Sequence, residues 1–158
     1  FLASETLNAR LIKPQLEFYA AGDLPVLATS HVHNPGDTRS DRRDMDGIRF
    51  LQLPWFLDPR PEHRRADETI ADSYPDQGDS LARLNAMGYD AYSLVVGAWR
   101  RSLILDNNLT TALARIRLEG GTGGLAADED GRFRRRLQWA VYRYGRIVPL
   151  PGMLAPGE

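Results

Sequence analysis

The sequence predicts a mixed α/β fold, and three observations carry that prediction. Within the first thirty residues an apolar start at 1–4, a helical stretch and a short apolar run at 24–29 follow one another. Strand, helix and strand in that span imply parallel pairing under a covering helix. Between 80 and 104, apolar residues recur at spacings of three and four, the period of an amphipathic helix. The final third alternates short apolar runs with glycine turns, the pattern of antiparallel hairpins.

Taken in order, a first helix is expected over 5–20. Ser4 is placed to cap it and Glu5 to complement its dipole, with Leu7, Leu11, Leu16, Phe18 and Tyr19 as a loose apolar stripe. Pro14 falls inside, so the helix either kinks there or begins later, and Gly22 and Asp23 end it. Residues 24–29 are apolar enough for a buried strand. From 30 to 46 the chain turns polar, with Asn34-Pro35-Gly36-Asp37 as a strong turn signal. Residues 47–55 read as a strand with Ile48, Phe50, Leu51 and Leu53 available for burial, ended by Pro54. A second polar stretch, 58–79, holds one short helix near 62–70. Connections this long in a compact domain are usually functional or mobile. The helix at 80–104 aligns Leu81, Leu84, Met87, Ala91, Leu94, Val95 and Ala98, extended by Trp99, with Gly88 as a point of close approach. A shorter helix is expected at 109–114. Strands at 116–118 and 125–127 flank a glycine-rich connection, and Asp130-Gly131 signals a hairpin. Phe133, Leu137, Trp139 and Val141 share one face of the strand that follows. A turn at Gly145-Arg146 returns the chain through 147–150, and 151–158 is a flexible tail.

Composition narrows the function. Of 158 residues, 42% are hydrophobic and 26% charged, the balance of a folded globular chain. The formal charge of −1 argues against a general nucleic-acid binder. No cysteine is present, which removes disulfides, thiolate metal sites and cysteine nucleophiles together. Lys13 is the single lysine among 20 basic residues, so any Schiff-base chemistry would fall to it. No run approaches the roughly 18 apolar residues of a membrane span. The chain starts at Phe1, as if a strand and any targeting signal lay upstream.

Candidate chemistry is thin. The run Glu119-Gly-Gly-Thr-Gly-Gly124 lacks the Lys-Ser/Thr of a phosphate loop and does not open a helix, so it reads as a turn built on glycine's conformational freedom. His31 and His33 would lie on one side of an extended segment, but two histidines make a weak metal site and are read as solvated. Asp128-Glu129-Asp130 lacks the ligand alternation of a calcium loop and reads as a charged hairpin tip. Arg132, Arg134 and Arg136 fall on one face of their strand as a candidate patch for docking an acidic partner, and their mutual repulsion predicts Asp or Glu on a neighbouring strand. Residues 37–46 alternate acid and arginine, a self-neutralised loop. Trp55 and Trp139 read as core or rim aromatics. No nucleophile–base pair, paired catalytic carboxylates, metal set or cofactor motif can be named, so no catalytic residue is assigned.

One ordered series of segments nevertheless carries a resemblance. It runs from Ala9-Arg10-Leu11-Ile12-Lys13-Pro14-Gln15-Leu16 through Leu24-Pro25-Val26-Leu27-Ala28-Thr29-Ser30 and Asp46-Gly47-Ile48-Arg49-Phe50 to Pro54-Trp55. It continues with Arg83-Leu84-Asn85-Ala86-Met87-Gly88-Tyr89-Asp90-Ala91-Tyr92, Gly121-Thr122-Gly123 and Arg136-Leu137-Gln138-Trp139-Ala140. Over nearly its whole length the chain resembles the C-terminal part of the LppC/LpoA family of outer-membrane lipoproteins, the penicillin-binding protein activators. The resemblance implies part of a type I periplasmic-binding-protein-like, two-lobed α/β fold with a parallel sheet and a C-terminal antiparallel hairpin. Residues 1–46 would then belong to one lobe, 47–57 cross over, 58–135 lie mainly in the other lobe and 136–150 return. It also implies a periplasmic, non-enzymatic role: binding a class A, bifunctional penicillin-binding protein and stimulating peptidoglycan synthesis. Attachment to the outer membrane would come only through an N-terminal lipid anchor that this sequence does not contain. The same fold ordinarily closes on a small polar ligand at the C-terminal ends of its strands. That alternative makes Thr29, Ser30 and His31, with Tyr89 and Asp90, the candidate cleft residues.

Overall fold

The computed structural model describes residues 1–57, 59–77, 81–106 and 108–150. The expected tail at 151–158 and the expected helix start at Ser80 lie outside these residues. The described chain divides into two units, Phe1–Gln52 with the chain from Gln138 onward, and Leu53–Leu137.

The first unit is built on a four-stranded sheet of order β1-β2-β6-β7, formed by Leu27–Ala28, Arg49–Gln52, Gln138–Arg143 and Arg146–Pro149. Parallel pairing is confined to one side. Leu2 bridges Ala28, and β1 runs parallel to β2 with Ala28 opposite Phe50. β6 then pairs antiparallel with β2, Phe50 opposite Ala140, and β6 and β7 form the C-terminal hairpin. β1 is shorter than the apolar run 24–29 suggested, because Pro25 has no N–H to give a ladder. β6 lies between two strands, and Trp139, Ala140, Val141 and Tyr142 are all buried. His33, Phe50 and Tyr142 form an aromatic pile, with ring centroids 6.4 and 4.9 Å apart.

Helix α1 spans Thr6–Phe18 and runs through Pro14. Ser4 does not cap it: its hydroxyl donates to the Glu5 carbonyl, and Glu5 holds the N-cap position without a side-chain bond. The helix stops before Gly22, through a Schellman pair in which Ala21 N–H bonds the Leu16 carbonyl and Ala20 N–H that of Glu17. Ala20 takes the left-handed position at φ 56°. The apolar stripe read from the sequence is not the buried face. Thr6, Ala9 and Lys13 are buried, whereas Leu7, Leu11, Phe18 and Tyr19 are each more than 60% exposed. The buried side of α1 packs against the Ser30–Val32 segment, where the Thr6 hydroxyl donates to the Val32 carbonyl at 3.0 Å, and Lys13 pairs its ammonium with Glu17 at 2.7 Å. The polar stretch 30–46 is not an extended loop. It holds a 3-10 turn at Ser30–Val32 and helix α2 at Arg39–Arg43. Thr38 caps α2: its hydroxyl accepts from Asp41 N–H at 3.2 Å, and the Asp41 carboxylate accepts from Thr38 N–H at 3.0 Å.

In the second unit Pro54 does not end a strand but opens helix α3, Pro54–Leu57. Pro61 opens α4, which runs to Ser73 and is longer than expected. Helices α5, Ala82–Leu105, and α6, Leu109–Arg115, follow; Asn108 caps α6 by accepting from Thr111 N–H at 2.8 Å. A three-stranded antiparallel sheet completes the unit in the order β3-β4-β5, Arg117–Gly120, Gly123–Ala127 and Phe133–Arg136. The buried seam of α5 is Ala86, Asp90, Leu94, Ala98 and Ser102, while Leu84, Met87, Val95 and Trp99 are exposed. Gly88 has no neighbour within 4 Å of where a Cβ would stand; the close approach is at Gly97, against Ile116. The single strand expected beyond Phe133 is two. β5 ends at Arg136 in this sheet and β6 begins at Gln138 in the other, so Phe133 and Trp139 do not share a strand.

Candidate functional site

Two places answer to the candidate residues. The first is an open groove of about 630 Å³ lined by Ala3, Ser4, Glu5, Asn8, Thr29 and His31. Its position follows from the parallel pairing. Leu2 N–H donates to the Leu27 carbonyl at 2.7 Å and Thr29 N–H to the Leu2 carbonyl at 3.2 Å. The residues after both segments therefore emerge side by side at their C-terminal ends, next to the first turn of α1. The Val32 carbonyl anchors the wall by accepting from the Thr6 hydroxyl and the Tyr142 hydroxyl, each at 3.0 Å. Thr29 and His31 line the groove; Ser30 sits between them, partly buried, and is not among its lining residues. His31 is exposed, but His33 is buried against Phe50, so the reading of both as solvated holds for His31 alone.

The second place belongs to the second unit and contains Tyr89 and Asp90. Asp90 is 2% exposed, and its carboxylate accepts from Gly121 N–H and Thr122 N–H, both at 2.8 Å, and from the Thr122 hydroxyl. A Cβ at Gly120 would collide with that carboxylate, and one at Gly121 with the Trp55 ring. Trp55 N–H in turn donates to the Gly121 carbonyl at 2.8 Å. The glycine run is thus a turn whose missing side chains make room for an acid on one side and an indole on the other. His63 stacks on Trp55 at 5.1 Å and meets the Tyr89 ring edge-on at 5.4 Å. Among the described residues its Nδ1 has no hydrogen-bond partner, and burial pushes the imidazole below its ordinary value against the pull of Glu62 and Asp90. Sequence reading missed His63 and the role of Asp90. The available signal was Asp90 itself, a carboxylate in the middle of an apolar helical face.

Two of the three arginines meet an acid, one in the turn before β5 and one on β3, the strand beyond the adjacent β4. Arg134 pairs with Asp128 at 2.8 Å and Arg136 with Glu119 at 3.5 Å. Asp128 also accepts from Asp130 N–H and Arg132 N–H across its own turn. These bonds, led by that from Arg132, hold its carboxyl below the usual carboxylate range. Among the described residues no group of three His, Asp or Glu side chains is arranged to hold a metal ion, and no helix is long and apolar enough to cross a membrane.

Comparison with known proteins places the chain. The family model described as LppC putative lipoprotein matches residues 1–145. The penicillin-binding protein activator LpoA of Yersinia pseudotuberculosis is 32% identical over 146 residues, covering 89% of this chain and 20% of that protein. The chain therefore spans about a fifth of the length of such relatives. The crystallised LpoA (YraM) C-domain from Haemophilus influenzae, described as a regulator of PBP1A, superposes with a TM-score of 0.66 at 26% identity, over 94% of this chain and 43% of that one. A putative branched-chain amino acid ABC transporter from Rhodospirillum rubrum shares the fold at a TM-score of 0.64 and 20% identity, over 93% of this chain and 42% of that one. The mixed parallel and antiparallel α/β arrangement is thus periplasmic-binding-protein-like, and the chain belongs to the LppC family of putative lipoproteins.

Proposed function

We propose that the protein carrying this chain is a non-enzymatic activator that binds a class A penicillin-binding protein and stimulates peptidoglycan synthesis. The observation that carries this reading is the family match over residues 1–145 together with relatives named as penicillin-binding protein activators. The site chemistry supports it. Asp90 is engaged by three donors of its own unit, and polar segments on a rigid α/β scaffold suit protein docking. The protein would act at the periplasmic face of the outer membrane, held by an N-terminal lipid anchor. In the lobe assignment, 1–46 belongs to one lobe, 47–57 crosses, 58–135 lies mainly in the second and 136–150 returns. The boundaries between units at 52/53 and 137/138 support that division. The longest natural chain containing this sequence should bind its own organism's class A enzyme and raise its transpeptidase rate. A purified pair showing neither would overturn the reading.

A second reading, a small polar ligand module, is favoured by the groove at Thr29 and His31, which opens at the C-terminal ends of adjacent parallel segments. Ser30 lies between them as the third candidate in this unit; Tyr89 and Asp90 belong to the second unit and are kept as separate candidates there. A thermal-shift screen with amino acids and cell-wall fragments tests it: stabilisation by one of them, lost in Thr29→Ala, is expected, and no shift with any counts against it.

A further inference from the structure

The β3–β4–β5 sheet has one buried and one outward face. Leu125 is buried on the first. By alternation along the strands, Arg117, Glu119, Gly124, Ala126, Arg134 and Arg136 stand on the second. The register aligns them in two cross-strand rows, Arg117–Ala126–Arg134 and Glu119–Gly124–Arg136. The middle strand offers only a methyl group and a hydrogen outward, so β4 is the floor of a trough whose walls carry guanidinium groups. All four residues of the edge strand β5 are exposed, and the exposed Arg132 precedes it.

The charges of this trough are incompletely matched. Arg134 is held by Asp128, but among the described residues Arg117 and Arg132 form no ion pair. Arg136 reaches Glu119 only at 3.5 Å, with the two side chains 59% and 63% exposed. A Cβ at Gly124 would stand 3.2 Å from a Glu119 carboxylate oxygen and 3.4 Å from an Arg136 nitrogen, so this loose pair lies directly over the glycine floor. Glu119 therefore already shows what the trough accepts, a carboxylate lying across β4. Exposed pairs of this kind contribute little and exchange readily.

We propose that this trough is a docking surface for an extended, acidic polypeptide segment carrying Asp or Glu at alternate positions. The two rows lie two residues apart, about 7 Å along the strands, which is the spacing of alternate side chains on an extended chain. One carboxylate engages Arg117 and Arg134, and the next displaces Glu119 from Arg136. The identity of the partner rests on the activator reading above; the surface itself does not.

Two arms of one experiment separate these claims, using the longest natural chain that contains this sequence. The first probe is a ten-residue peptide alternating Glu and Ser. Binding that weakens at high salt, falls at least about tenfold in the R117E/R134E/R136E variant and tightens in E119Q is expected. No binding, or equal binding to the triple variant at unchanged melting temperature, overturns the surface. So does equal or stronger retention by anionic phospholipid vesicles. The second probe is the class A penicillin-binding protein. If the wild type binds it and the triple variant binds equally well, the activator reading stands and the surface falls. If the wild type does not bind it while the peptide arm succeeds, the activator reading falls and the surface stands.

Discussion

Each unit fixes one hairpin turn with an aspartate brought from far along the chain, in contrasting surroundings. In the first unit Asp46 accepts from Tyr144 N–H at 2.8 Å and Gly145 N–H at 3.0 Å, closing the β6–β7 turn beside solvent. In the second, Asp90 performs the same task for Gly121 and Thr122 with almost no exposure. The glycines differ accordingly. Gly145 is needed for its left-handed φ of 67° and for the nearby Arg39 carbonyl, whereas Gly121 is needed because the Trp55 ring occupies the space of a side chain. The same bond geometry is therefore a modest convenience where water can substitute and an obligation where it cannot.

That contrast can be broken in graded steps. Asp90→Ala leaves two buried N–H groups and a hydroxyl without acceptors and is expected to cost about 3 kcal/mol in a urea titration, with Asp90→Asn costing less. Gly121→Ala drives a methyl into Trp55, and its cost should be about 2 kcal/mol by the same measurement. Asp46→Ala opens its turn to water and should cost only about 1 kcal/mol, seen as faster hydrogen exchange at Tyr144 and Gly145. Equal losses for Asp46→Ala and Asp90→Ala would remove burial as the explanation. The smallest effect is pH-dependent and confined to the second unit. Burial keeps His63 below its ordinary value of 6.5, against Glu62 and Asp90 and with the help of Arg60. The folded unit therefore binds this proton less readily than the unfolded chain. The corresponding stability is full above that value and is lost as pH falls from it through the folded value. Urea midpoints taken across this range should fall toward acid, and His63→Phe should flatten the slope while keeping the stack on Trp55.

Much of the architecture was legible because it rests on periodicity and turn chemistry. The opening strand–helix–strand, the long α5 and the closing hairpin all carry such signals. Helix α2 was not, because Arg39–Arg43 contains no apolar residue to show a period; its only local signature is the Thr38/Asp41 cap. The break at Leu137 was hidden because hydrophobic alternation continues across it, and only pairing partners separate β5 from β6. The buried faces of α1 and α5 were misread for one reason. Both helices approach their neighbours through small or polar residues, Ala9 and Lys13 in one, Ala86, Asp90 and Ala98 in the other, and an apolar stripe cannot reveal that. The sites followed the same rule: Thr29 and His31 could be placed from strand ends, but the tie from Asp90 to Gly121 and Thr122 spans more than thirty residues and has no local trace.

Lys13 has a practical consequence. It is the only lysine in the sequence, and its ammonium is buried and bonded to Glu17. Reagents that target lysine amines, including common cross-linkers and fluorophores, should therefore find almost nothing to modify on the surface of this segment. A surface lysine introduced at one chosen position would consequently be a nearly unique label, so that a cross-link formed through it maps a partner's footprint without background from its neighbours.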